Sequence, residues 1–192
     1  MTGSGEALPG RGCYIQRMTT HTSPHADTPS RVGSQLASAL ADRLEKGVQA
    51  LTAFASALTD AEWQARVPHD GRTVGVVVHH VASVYPLEIQ LALTVAEGKA
   101  VTGVTMADVD TMNAGHAVEH ANVTREAAVE LLQKNGAAAA AALRALTDEQ
   151  LAQAAPVSLY ADAPLTCQFV LEDHAVRHSY HHLARLRKTL GK

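Results

Sequence analysis

Histidine is the residue type that promises chemistry in this chain. There are 11 histidines in 192 residues, against an aromatic content of 4%. Six of them fall in two short clusters, His79-His80 and His174, His178, His181, His182. Histidine fills cores poorly but serves well as a metal ligand or proton carrier. On a helix, His178 and His182 share one face with their Cβ atoms about 5–6 Å apart, so two imidazoles can hold one ion side by side. His174 continues that stripe one turn earlier, and His181 turns away from it. A third ligand has to come from another helix. Adjacent residues point about 100° apart, so only one of His79 and His80 can join the site. Val77, His80, Val84, Leu87 and Leu91 form one inward stripe, which selects His80 and leaves His79 to the side, as an outer neighbour or facing solvent. The expected metal ligands are His80, His178 and His182, with His174, His181 and Glu88 as neighbours behind them. Three imidazoles on one divalent ion leave at least one coordination position open, the pattern of a catalytic site. Zinc and nickel both suit imidazole. Water bound there becomes acidic enough to supply hydroxide near neutral pH, and a bound thiol is deprotonated.

Other combinations compete. His116-Ala117-Val118-Glu119-His120 matches the H-x-x-E-H string of inverted zincins, and also reads as a polar helix face near the mouth of a bundle. Glu88 lies two turns beyond His80 on the same face, and Glu172 and Asp173 precede His174; each suits a solvent-facing or capping role as well as that of a base. Cys167 opens the last helix, where a helix N-terminus lowers a thiol pKa, or it is simply packed. Ser179 is not part of a triad, because adjacent helical residues face different ways. No G-x-S-x-G, P-loop or G-x-G-x-x-G is present. His69 falls in a loop and His21 and His25 in the N-terminal tail.

The elements that must position these residues are helices. Leu36, Leu40, Leu44, Val48, Leu51 and Phe54 recur at spacings of three and four, giving one amphipathic helix from about Arg31 that ends near Leu58. Thr59-Asp60-Ala61-Glu62 has the form of a capping box and starts a short helix, with Trp63 as a packing anchor. Pro68, Asp70 and Gly71 form a loop. A second long helix runs from about Thr73 to Glu97 and stops at Gly98, with Pro86 predicting a kink or local break. A helix follows over about Met106 to Ala121. Another runs from an N-cap at Thr124 to about Leu146, with the Ala137–Ala142 run inside it. Thr147 to Gln150 is a further capping box, residues 156–164 are a loop, and the last helix spans about Leu165 to Leu190. No sheet is expected. Ala57-Leu58-Thr59-Asp60 recurs as Ala145-Leu146-Thr147-Asp148, each after a long helix and before a His-bearing one. That echo suggests two helix pairs arranged alike, hence a four-helix bundle.

Composition narrows the functional class. Sixteen Lys+Arg against 19 Asp+Glu give a net charge of −3, so the basic face of a nucleic-acid binder is not expected. No stretch approaches 18 uninterrupted apolar residues, and no membrane span is expected. Cys13 and Cys167 read as free thiols in a reducing compartment, which predicts a cytoplasmic protein. Residues 1–30, rich in Gly, Ser, Thr, Pro and His, read as a disordered extension before one domain over 31–192. Met18 is a candidate start that would place 1–17 outside the native chain.

Two segments together resemble the DinB/YfiT-like superfamily of metal-binding four-helix bundles. Thr73-Val74-Gly75-Val76-Val77-Val78-His79-His80-Val81-Ala82 resembles the family's second-helix motif, an aliphatic run ending in a ligand His, here His80. His174-Ala175-Val176-Arg177-His178-Ser179-Tyr180-His181-His182 resembles its C-terminal H-x3-H-x2-H-H pattern, with ligands at His178 and His182. Many members continue with Gly-Gln, where this chain has Leu183-Ala184. The resemblance spans about Val32 to Leu190. It implies an all-α bundle of up-down-down-up type with short extra helices. It also implies a divalent metal cofactor and a metal-dependent transferase or isomerase activating a low-molecular-weight thiol. Asp108-Val109-Asp110-Thr111-Met112-Asn113 resembles the third helix of members related to the thiol-dependent maleylpyruvate isomerases. A metal-dependent hydrolase, a non-catalytic metal-binding stress-response bundle and a pH-responsive ligand-binding module are the alternatives. The expected partners are a small-molecule substrate or thiol and a second copy in a homodimer, with the Ala-rich helix as contact face.

Overall fold

The structure, a computed structural model, describes residues 34–192. The reading of residues 1–30 as an extension, with Met18, Cys13, His21 and His25, lies outside the described residues. Within them, α1 spans Gln35–Ser56, α2 Asp60–Trp63, α3 Val74–Ala96, α4 Met106–Glu119, α5 Arg125–Arg144 and α6 Asp148–Ala152. A hairpin of β1 (Ala154–Val157) and β2 (Ala163–Thr166) follows, then α7 (Cys167–Val170) and α8 (Arg177–Leu190). A π-helical segment, Leu171–Val176, joins α7 to α8 in one continuous C-terminal helix.

Polar caps define the starts. Ser34 caps α1, and threonines cap α2, α3, α4, α5, α6 and α7, each accepting a backbone N–H from the first turn. Such a cap contributes about 1 kcal/mol. The bundle is formed by α1, α3, α5 and the C-terminal helix. Helix α5 packs against both α1 and α3, and the C-terminal helix packs against the same two, so α1 and α3 stand on one diagonal. The first two long helices, α1 and α3, therefore face each other across the core, as do α5 and the C-terminal helix, while α3 and α5 lie side by side, the arrangement of an up-down-down-up bundle. Neighbours α3 and α5 need a crossover, and α4 with its flanking loops supplies it. At the α1–α5 contact, a Cβ on Gly136 would lie 2.6 Å from Val48, so close approach demands glycine there. Gly75 does the same for Trp63, whose ring would meet a Cβ at 2.4 Å. Trp63 is 4% exposed and donates from Nε1 to the Val123 carbonyl at 3.0 Å, anchoring α2 and the start of α5 to α3.

Helix α3 is the core helix. It has the length and apolarity of a membrane span, yet fifteen of its 23 residues are buried within the bundle. Pro86 does not break it. Proline removes the N–H that would bond four residues back, freeing the Ala82 carbonyl, and Asn135 Nδ2 of α5 donates to that oxygen at 2.8 Å. One other expectation is overturned and two open readings are decided. Residues 156–164 are not all loop: β1 and β2 pair antiparallel, with Pro156 opposite Pro164. The strand sequences Ala-Ala-Pro-Val and Ala-Pro-Leu-Thr carry no polar–apolar alternation, although β1 buries Ala155 and Val157 alternately, and proline is tolerated at sheet edges such as these. Ala161 and Asp162 take positive φ (53° and 59°) to turn the hairpin. The last helix starts at Cys167 rather than Leu165, because Leu165 and Thr166 pair in β2. Cys167 itself is fully buried, and burial pushes its thiol up to about 11, opposite to the helix-terminus effect.

Candidate metal centre

Three residues from two neighbouring helices, α3 and α8, converge. His80 on α3 and His178 and His182 on α8 each offer a ring nitrogen, all within 4.8 Å of one another. Ring centroids are 5.3 Å apart for His80–His178, 5.5 Å for His80–His182 and 4.8 Å for the stacked pair His178–His182. His80 and His182 are 6% and 7% exposed. Next to them, Tyr85 Oη and Ser179 Oγ lie 2.5 Å apart, both fully buried, and tie α3 to α8.

Glu88 is buried and bonds His178 Nδ1 with Oε1, so the solvent-facing role does not apply to it. That contact fixes the tautomer and ring orientation and turns Nε2 away from the carboxylate. His178 Nε2 and His182 Nδ1 are buried without hydrogen-bond partners. Buried polar atoms are rarely left so, and two orphaned imidazole nitrogens within a cluster of three His rings fit a divalent ion. Burial, followed by the neighbouring His178, lowers the pKa of His80 to about 3 and of His182 to about 2. Both rings are neutral at physiological pH, the state a ligand needs.

The triad lies at the wall of a cavity of about 520 Å³. Val84, Leu87 and Leu91 line it alongside His80. The stripe read as inward thus faces this cavity, and Leu87 is 52% exposed. Met106, Val109 and Met112 of α4 and Leu159 of the hairpin form its other apolar walls. Asp108 and Asn113 also reach it, Asp108 while closing the α4 capping box with Thr105.

The other expected neighbours are more distant. His174 lines the cavity but bonds the Tyr160 hydroxyl at 3.2 Å and does not join the triad. The π turn, with i→i+5 bonding, carries it off the His178–His182 stripe. His181 is exposed and meets His182 edge-on, with centroids 5.2 Å apart. Asp173 accepts from Tyr160 and pairs with Arg177, and Glu172 pairs with Arg43.

The structure adds residues that the spacing argument passed over. Arg72 lines the cavity with Nε and Nη2 held by Asp70 at 2.5 and 2.8 Å, while its Nη1 is buried and unpartnered. Arg185 braces the same Asp70 at 2.7 Å. In sequence, Asp70-Gly71-Arg72 carries only a turn signal. His79, expected to the side, is 9% exposed and faces α4, where His116 and His120 meet it.

The family model of the DinB superfamily matches residues 43–186. The chain belongs to the DinB superfamily. No curated protein matches it. Among solved structures it is similar to YfiT from Bacillus subtilis, described as a probable metal-dependent hydrolase with an unusual four-helix bundle topology. The two are 23% identical, with a TM-score of 0.65, over 85% of this chain and 93% of that one. At that identity the likeness establishes the shared four-helix-bundle fold.

Proposed function

We propose that this chain is a metal-dependent enzyme that binds a divalent ion, zinc or nickel, through His80, His178 and His182 and activates a thiol or water toward a small substrate. The observation that carries this reading is the set of orphaned imidazole nitrogens, oriented by Glu88, at the wall of an apolar cavity. When bound, such an ion supplies Lewis acidity that drops the pKa of a coordinated thiol or water.

The chain's own groups have distinct tasks. Glu88 holds the His178 ring in the orientation that presents Nε2. Leu87, Leu91, Met106 and Met112 exclude water and receive the apolar body of a substrate. Arg72 Nη1 presents a buried N–H to an anionic group. The thiol reading, a transferase or isomerase, is supported by the apolar walls and by Glu88 being engaged with His178: a coordinated thiol needs no separate protein base. The hydrolase reading is supported by the likeness to YfiT and by Glu88 Oε2, buried and unpartnered at the cavity.

The test uses metal-loaded protein with a panel of low-molecular-weight thiols plus small electrophiles, and in parallel with activated esters and amides. Thiol-dependent turnover that disappears in His178→Ala supports the first reading. Turnover without thiol supports the second. Absence of turnover from fully metallated protein overturns both and leaves a metal-binding bundle.

A further inference from the structure

We propose that His79, His116 and His120 form a second divalent-metal site, which lies beside the deep triad (His116 and His80 ring centroids are 5.6 Å apart), takes a zinc-class ion and staples α4 to the bundle. It shares no side chain with His80, His178 and His182, so it does not rest on the function proposed above.

One ring nitrogen from each residue lies within 4.8 Å of the other two. Ring centroids are 4.0 Å apart for His79–His120, 4.7 Å for His116–His120 and 5.1 Å for His79–His116. His79 Nδ1 is 2.9 Å from His116 Nε2, a hydrogen bond in the metal-free chain. Tetrahedral zinc–imidazole bonds of about 2.0–2.1 Å place ligand nitrogens roughly 3.3 Å apart. Closing the third ring onto this pair therefore takes rotamer adjustment rather than backbone movement. His116 lies in the last turn of α4 and His120 is its C-cap, where the carbonyl end of the helix favours a cation.

The fold supplies a reason for an ion here. None of the 14 residues of α4 is buried, and Val118 is 80% exposed. Apolar packing holds this helix weakly, yet it forms a wall of the cavity through Met106, Val109 and Met112. An ion joining His116 and His120 to His79 fixes the end of that wall to the core helix. His116 and His120 are partly exposed, so this ion exchanges faster than one at the deep triad.

The experiment is calorimetric titration of tag-free, metal-stripped full chain with zinc, together with amide hydrogen exchange of residues 106–119. A second equivalent of zinc and slowed exchange across α4 are expected in the wild type. In His120→Ala and His116→Ala/His120→Ala, folding checked by circular dichroism, the weaker equivalent is lost or weakened at least about tenfold and exchange stays fast. His178→Ala keeps that equivalent. If the deep triad binds nothing, the wild type shows one equivalent, lost in His120→Ala and kept in His178→Ala, and the second site still stands. Unchanged zinc stoichiometry and affinity in the double variant, or exchange across α4 unaffected by zinc, overturns it.

Discussion

Two imidazole clusters diverge from one dipeptide. His80 meets an i, i+4 pair on α8, and His79 meets an i, i+4 pair on α4. The step of about 100° between adjacent helical residues sends the two rings to different partners. Their surroundings differ more than their composition. Around His80 the partner helix packs on α1 and α3, a buried carboxylate orients one ligand, and a cavity opens beside it. Around His79 the partner helix buries nothing, and the nearest carboxylate, Glu119, is 75% exposed and 3.9 Å from His120. Equal numbers of rings thus stand in a held, oriented arrangement in one place and a shallow one in the other. The support behind the rings, more than the rings, separates them.

Several experiments break or sharpen this contrast. The largest effect is expected from His178→Ala, which removes a ligand that the core has already oriented. Metal at the deep site and any metal-dependent turnover should both vanish by elemental analysis and assay, while His120→Ala leaves the deep ion in place. Equal loss in the two variants would mean the clusters act as one centre.

Acid should act next. Unfolded histidines titrate near 6.5, but burial holds His80 and His182 at about 3 and about 2. As pH falls below about 6.5, the unfolded chain takes up protons that the folded chain refuses. The metal-free protein therefore loses stability progressively from about pH 6.5 toward about pH 3, with no further gain from these groups above 6.5. His116, at about 4, contributes less. Urea midpoints across this range check it, and a midpoint that does not fall would remove burial as the distinction between clusters.

Glu88→Gln should weaken metal binding at the deep site by about 10–100-fold with the fold kept, leaving the α4 cluster unchanged. The smallest change is expected from Asn135→Ala. It leaves the Ala82 carbonyl without its donor and costs about 1–2 kcal/mol of stability. Because α3 carries both His79 and His80, this variant should loosen both clusters alike.

Much of this was legible along the chain. Leucine and valine at spacings of three and four marked α1, and the caps Thr59, Thr124 and Thr147 marked the starts of α2, α5 and α6. The i, i+4 pair His178–His182 and the aliphatic run before His80 pointed to one site. The hairpin was not legible, because Pro156 and Pro164 read as loop and pairing between short strands leaves no periodic trace. Neither was the role of α4: with no buried face, its pattern does not announce what it packs against, so His79, His116 and His120 looked unrelated. Arg72 was hidden in a turn, and Glu88 sat among carboxylates that suited solvent equally well.

By itself, the sequence determined which rings share a helix face, since 3.6 residues per turn is a local property of the backbone. It also determined where most helices begin, since a cap satisfies N–H groups within its own first turn. Which faces meet was decided only by tertiary packing. The diagonal placement of α1 and α3 and the crossover through α4 arise from contacts between residues distant along the chain. Those contacts brought Glu88 to His178 across 90 positions and His116 to His79 across 37.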